Sequence, residues 1–427
     1  MKKAGAFDLK KLMSLAESIG GMLIAVFFQI ISFVLLTRTL GVMSFGVFVS
    51  SVAIGLALSE LVGIGCGENF IRLVARDKNR MRPLFGNGLR MIAGTGLILA
   101  LPLAPLAAYF IAPSEIFWFI SALIANEAVV VRCTLYFEHV SLALNDFRLA
   151  AFARAIVPFF RCMALIFTIF ALGHDQIPAM VISQICATIC AALVMYVVLR
   201  RIIYRQKDSS DAELGTLDWL KFGTPTALSN LQRGIQNHAD KYIVTLFAGP
   251  EVGGVYAAGY RFVQMALIPV QAYARTTYSG FYDAGKNGLL ASIRYGKRVG
   301  GVMMAIAIFS ATCTYFGADF IPLILGEEYR QASDVVRILS PLLIFWGLQF
   351  LLVDALRGAD LAWTVNWISL GINVLSIVLL VALTMHYGLI GVLAASLISL
   401  GTALILMAIA IWMLLQRKPA GEEHLAQ

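Results

Sequence analysis

Apolar runs long enough to cross a bilayer recur about twelve times along the chain, at 12–37, 47–66, 89–111, 116–137, 152–172 and 179–199 and again at 217–247, 255–274, 299–316, 335–353, 363–384 and 389–415. A crossing needs roughly 20 predominantly apolar residues wound as a helix, so the pattern predicts an all-α integral membrane protein. The polar connections alternate in charge. Lys2, Lys3, Lys10 and Lys11 precede the first run, Arg72, Arg76, Lys78 and Arg80 follow the second, Arg148 and Arg154 the fourth, and Arg200, Arg201, Arg205 and Lys207 the sixth. Lys286, Arg294, Lys297 and Arg298 follow the eighth, Arg357 the tenth, and Arg417 and Lys418 the twelfth. The connections between, at 112–115, 173–177, 248–254 and 386–388, carry no Lys or Arg. Cytoplasmic loops keep positive charge and short translocated loops lose it, so both termini are expected in the cytoplasm. Arg38, Arg330 and Arg337 depart from the alternation.

Composition sharpens this picture mainly by exclusion. The 427 residues are 59% hydrophobic and only 14% charged, against about a quarter charged in soluble proteins, and a net charge of +8 is accounted for by basic loops facing an anionic leaflet. No nucleic-acid partner is needed. The first run is long and lacks a small-residue cleavage site, so it reads as an uncleaved anchor. All six cysteines fall within or at the ends of apolar runs, where they read as buried small apolar residues; neither a disulfide framework nor a metal site is expected. No HExxH, GxxxxGK[ST] or GxSxG motif occurs, no cofactor is implied, and the connection near 200–218 is too short for a nucleotide-binding module. The chain is expected not to be an enzyme.

The two halves echo each other. Gly41, Gly46 and Phe48 in the first match Gly249, Gly254 and Tyr256 in the second, each pair 208 residues apart, and the stretch 144–148 resembles 357–361 at an offset of 213. Six runs per half give both halves the same orientation. The prediction is an N-terminal six-helix lobe over 1–200, a cytoplasmic linker over 201–217 and a C-terminal lobe over 218–427, related by a pseudo-two-fold axis along the membrane normal with a cavity between them.

The segments Arg38-Thr39-Leu40-Gly41, Phe45-Gly46-Val47-Phe48, Asp240-Lys241-Tyr242 and Gly254-Val255-Tyr256-Ala257-Ala258-Gly259-Tyr260-Arg261 carry a resemblance to the polysaccharide-exporter, Wzx-type oligosaccharide flippase branch of the multidrug/oligosaccharidyl-lipid/polysaccharide superfamily. The resemblance covers essentially the whole chain. It implies twelve helices in two lobes and export of a polyprenyl-diphosphate-linked oligosaccharide across the bacterial cytoplasmic (inner) membrane for surface polysaccharide, such as lipopolysaccharide O-antigen or exopolysaccharide. Polysaccharide assembly proteins and membrane lipids are the partners it brings with it.

Charges inside the runs supply candidate chemistry, because a charged side chain at mid-membrane costs roughly 3 kcal/mol on insertion scales and normally meets a cavity or a partner. At 100° per residue, Ser229, Arg233, Gln236 and Asp240 fall within an arc of about 60°, with Asn237 at its edge. The same count places Arg261, Gln264, Gln271 and Arg275 within about 80° on the eighth run. The first lobe contributes Arg132, Arg154 and Arg161 with the acids Glu60 and Glu127; Asp354 lies in the tenth run. Arg132 and Glu127 are a candidate structural ion pair. Arg132, Arg161, Arg233, Lys241 and Arg261, with Gln236, Asn237 and Gln264, are the candidate substrate-binding residues, since arginine keeps its charge when desolvated and grips phosphate with paired bonds. Asp240, with Asn237 or Asn373 nearby, is the candidate coupling site for H+ or Na+, unless Arg233 or Lys241 simply pairs with it. An alternating-access flippase is the expected function. The alternative is a drug or organic-cation antiporter of the same superfamily, which a cationic cavity disfavours.

Overall fold

A computed structural model describes residues 9–77, 80–172, 177–205 and 216–416. Its order is α1 (Leu9–Ser59), α2 (Cys66–Arg76), α3 (Met81–Thr95), α4 (Leu101–Ile111), α5 (Phe117–Ala143), α6 (Phe147–Leu172), α7 (Ile177–Arg205) and α8 (Thr216–Ala248), then α9 (Pro250–Ala266), α10 (Ile268–Gly285), α11 (Leu289–Gly317), α12 (Ile321–Leu325), α13 (Arg330–Leu339), α14 (Leu342–Gly358) and α15 (Ala362–Gln416). No strand occurs among the described residues. That follows from the solvent: in hydrocarbon every backbone polar group must be bonded within its own segment.

Among the described residues, seven helical stretches are long and apolar enough to span a membrane. Two of them, Gly20–Ser59 with 40 residues and Ala362–Gln416 with 55, are long enough for two crossings each. Both are broken by a glycine in a non-helical conformation, Gly41 and Gly388. The pair Glu327–Leu339 and Leu342–Gly358, bent by 42°, supplies one further span when its two arms are counted as a single broken crossing. The polar faces of α8 and of α9 with α10 keep those segments below the apolar threshold, and counting them gives the twelve runs expected, six in each half.

The internal repeat is written into the backbone. Gly41 (φ 66°, ψ 172°) and Gly249 (φ 93°, ψ 162°) occupy the same region, open essentially to glycine alone, at the two ends of the 208-residue offset. The second echo is real but displaced. Asn145 (φ 57°) and Asp360 (φ 59°) are the matching left-handed residues, 215 rather than 213 apart. Their turns carry the same bonds: Asn145 N to Leu142 O and Asp146 N to Ser141 O in one half, Asp360 N to Arg357 O and Leu361 N to Leu356 O in the other. Asn and Asp both tolerate this conformation, so letter matching slipped by two residues where torsion does not.

The chain divides into two compact units, Met1–Leu246 and Phe247–Gln427. Residues 206–215 of the expected linker lie outside the described residues. In the first unit the buried core joins α2, α3, α5 and α7 through Phe70, Phe85 and Tyr136; the Tyr136 hydroxyl donates to the Leu84 carbonyl at 3.2 Å, and Phe85 stacks on its ring at 6.1 Å. Large apolar side chains such as Phe170, 87% exposed, point outward. In lipid, helices gain nothing by hiding leucine from a leucine-like solvent, so packing and polar bonds hold them together. The cysteines follow this rule. Cys66 and Cys162 are buried as expected, whereas Cys186, Cys190 and Cys313 are exposed, because the bilayer accepts them as readily as a core does.

Candidate functional site

Arg132 and Glu127 lie five residues apart on α5, about 140° around the helix, and so face different neighbours. The pairing considered from sequence does not form. Arg132 Nη1 donates to Glu60 Oε2 at 3.0 Å, just beyond the end of α1, with the arginine side chain 6% exposed. Glu127, 1% exposed, instead receives Arg161 of α6. Arg161 also donates through Nε to Thr188 Oγ1 at 2.9 Å, and its carbonyl accepts the Gln184 amide at 3.1 Å, which brings in α7. Arg154 of α6 pairs with Glu138 of α5. Gly55 of α1 presses against Glu127, where a Cβ would overlap the acid's own Cβ and a backbone carbonyl. Arg132 and Arg161 are therefore held in ion pairs that cross between segments of the first unit.

Helix α8 presents two separate faces. Gly223, Ala227, Asn230, Gly234, Lys241 and Thr245 recur at helical spacing and are all buried. Through this stripe the helix meets the earlier segments of its unit. A Cβ on Gly223 would collide with the Ile64 carbonyl oxygen, one on Gly234 would come within 2.8 Å of Glu60 Cγ, and Asn230 Nδ2 donates to Glu68 Oε1 at 2.9 Å. Toward its other end, Ser50 Oγ donates to the Lys241 carbonyl at 3.1 Å and bonds the Thr245 hydroxyl, while the Tyr242 hydroxyl donates to the Ala107 carbonyl at 3.1 Å. Small residues at this spacing let two backbones approach closely.

The stripe of Arg233, Gln236 and Asp240 is centred about 120° around the helix from that packed face. Asn237, between the two faces, is exposed. Asp240 accepts from Lys241 Nζ at 2.8 Å, and the same ammonium donates to the Asn237 carbonyl at 3.1 Å, so three of the residues singled out from sequence do meet. The side chains of Arg233 and Gln236 lie outside the described residues.

In the second unit, Arg261 and Gln264 are half-buried on α9. That helix packs on α13 through Gly259, where a Cβ would lie 2.8 Å from Val335 Cγ1. Arg261, two residues on, points about 160° away from this contact, and Gln264 lies within about 60° of Arg261. A one-residue break at Leu267, whose backbone stays in the right-handed helical region, separates α9 from α10, on which Gln271 is half-buried and Arg275 exposed. Pro269 opens α10 and has no amide to donate back across the break. Asn373 of α15 is buried, and its Nδ2 has no hydrogen-bond partner among the described residues. Asp354 is buried on α14.

Sequence reasoning missed Glu68, Asn230 and Tyr242. The available signal was the small-residue spacing of Gly223, Ala227 and Gly234, which marks the packed face of α8 and thus separates its structural polar residues from the remaining stripe.

Comparison with known proteins places the fold and the family. A family model described as polysaccharide biosynthesis protein matches residues 15–278, more than half of the chain. Among solved structures, an inward-facing multidrug resistance MATE family transporter of the MOP superfamily is similar with a TM-score of 0.72 at 15% identity, over 92% of this chain and 95% of the other. A MOP superfamily transporter from Pyrococcus furiosus, described as having a binding pocket of reversed polarity, gives 0.60 at 15% identity over 94% and 95%. The MATE multidrug transporter DinF-BH, solved as a complex, gives 0.63 at 15% identity over 96% of each chain. No curated protein matches significantly. The shared fold is the all-α fold of these membrane transporters.

Proposed function

The chain belongs to the polysaccharide biosynthesis protein family, and from that premise we propose that it is a flippase moving a polyprenyl-diphosphate-linked oligosaccharide across the bacterial cytoplasmic membrane by alternating access. Its product would feed surface polysaccharide, lipopolysaccharide O-antigen or exopolysaccharide, in company with polysaccharide assembly proteins. In this reading both termini are cytoplasmic, with lobes at 1–200 and 218–427 joined by a linker at 201–217, and the contacts of α8 with Glu60, Ile64 and Glu68 are then ones that the start of the second lobe makes with the first. The observation that carries the reading is the two-faced character of α8. Its small-residue face makes the contacts within the unit, while the positions of Arg233, Gln236 and Asp240 lie elsewhere on the helix. Arg261 and Gln264 likewise point away from the Gly259 contact of α9. Charge kept off the packing faces of membrane helices is a functional feature by default, and arginine suits a diphosphate. Asp240 is assigned the coupling of H+ or Na+, and Asn373 is a separate candidate for that role in the second unit.

The test is the leaflet distribution of lipid-linked oligosaccharide in a strain lacking the protein, complemented at matched expression. Arg233→Ala and Arg261→Ala should accumulate the lipid on the cytoplasmic side while the protein stays folded, and Lys replacements should rescue only in part. Normal surface glycan in the deletion strain together with hypersensitivity to cationic drugs would assign the protein instead to drug export. Orientation is tested by labelling single cysteines with an impermeant reagent: Ser114→Cys and His386→Cys should react from outside, and Arg205→Cys and Lys286→Cys only after lysis.

A further inference from the structure

A bilayer-facing groove of about 940 Å³ opens on the first unit between α1, α6 and α7. Its shape has a local cause. At Gly21, α1 approaches α6 so closely that a Cβ would overlap Ala151, and the small residues Gly20, Gly21, Ala151 and Ala155 leave a trough beside the contact. Aromatic rings wall it, with Phe28 set edge-on against Phe159 at 5.1 Å. The lining is apolar except at one end, where Arg148 stands exposed. From Arg148 to Phe159 the groove follows α6 for eleven residues, about 16 Å at 1.5 Å per residue, close to half of a hydrocarbon core about 30 Å thick.

More positive charge gathers at that end. Val194 of α7 lines the groove, and Arg201 and Arg205, seven and eleven residues on, return to within about 20° of the same face. Both are exposed. Arg200, 100° away, is instead turned onto the Tyr204 ring at 5.5 Å.

We propose that this groove binds an anionic phospholipid of the cytoplasmic leaflet, one acyl chain along the trough and the phosphate against Arg148, Arg201 and Arg205. The depth of one leaflet fits an ordinary acyl chain; an isoprenoid tail built to span further would leave most of its length outside. The arginines stand near the ends of α6 and α7, which the orientation proposed above brings to the cytoplasmic headgroups, and each basic residue near an anionic membrane surface strengthens such binding about fivefold. The site is separate from α8 and α9 and does not depend on what the protein transports.

Native mass spectrometry of the purified full-length chain tests it, with phosphatidylglycerol, phosphatidylcholine of identical chains and a polyprenyl phosphate as probes. One phosphatidylglycerol should be retained in preference to phosphatidylcholine, and Arg148→Gln should lower that preference about fivefold. Ala155→Phe, and independently Val194→Trp, should abolish retention of either phospholipid while the circular dichroism melt stays cooperative. Unchanged retention in both groove-filling variants overturns the site. Equal binding of the two phospholipids, or a preference that survives loss of all three arginines, overturns the headgroup assignment. Displacement of phosphatidylglycerol by polyprenyl phosphate would overturn the occupant and give the groove to an isoprenoid lipid.

Discussion

Arg161 and Lys241 are both largely buried cations of the first compact unit, yet they are held in different ways. Arg161 reaches from α6 to Glu127 on α5 and to Thr188 on α7, so its charge is part of how three helices meet. Lys241 bonds Asp240, its immediate neighbour in sequence, and the carbonyl of Asn237 on its own helix. A pair between helices is lost when they separate, whereas one within a helix survives wherever that helix forms. The difference teaches which intramembrane charges to regard as structure. Those bonded across helices belong to the fold, and a pair formed along one helix, such as Lys241 with Asp240, stays within bonding reach however that helix is seated.

The largest effect expected from this contrast is at Arg161. Replacement by alanine strands Glu127, 1% exposed, without its cation and should cost about 3–5 kcal/mol. The measurement is unfolding in micelles, and Glu127→Gln added to Arg161→Ala should recover much of the loss. A single variant as stable as the parent would break the contrast. Gly223→Leu comes next, at about 3 kcal/mol, because the added side chain must push α8 off the Ile64 carbonyl. If the polar stripe rather than the small-residue face seated α8, this substitution would be mild.

The two repeat glycines sharpen the comparison from another side. Gly41→Ala and Gly249→Ala should each cost about 2 kcal/mol, since both force an ordinary residue into a glycine-only conformation. Nearly equal losses are expected; a large difference would mean that the two turns do unlike things. The smallest stability change belongs to Asp240→Asn, about 1.5 kcal/mol, because the neutral amide keeps the shape of the side chain and the Lys241 ammonium retains its bond to the Asn237 carbonyl. Its expected effect is on ion-dependent transport measured in vesicles, and undiminished transport across a range of pH and sodium concentration would remove Asp240 from the coupling role.

Much of this was legible in the residues themselves. The twelve runs and the paired Gly41 and Gly249 turns rest on patterns local to one segment, and a helix in lipid has little freedom to depart from its period. The partners of Arg132 and Arg161 were not legible. Helical spacing shows that Glu127 and Arg132 diverge, but it does not show that Glu60 waits at the end of α1 or that Glu127 meets α6.

The sequence by itself determined that the chain is helical, where it crosses the bilayer and that its halves repeat, because the backbone's need for internal hydrogen bonds and the length of an apolar run act locally. Tertiary structure alone decided which carboxylate receives which arginine, which face of α8 is packed and where the bilayer-facing groove opens. Those outcomes depend on how closely two helices approach. That distance is set by a few small residues, Gly21 against Ala151 and Gly223 against Ile64, whose effect exists only once the facing segment is in place.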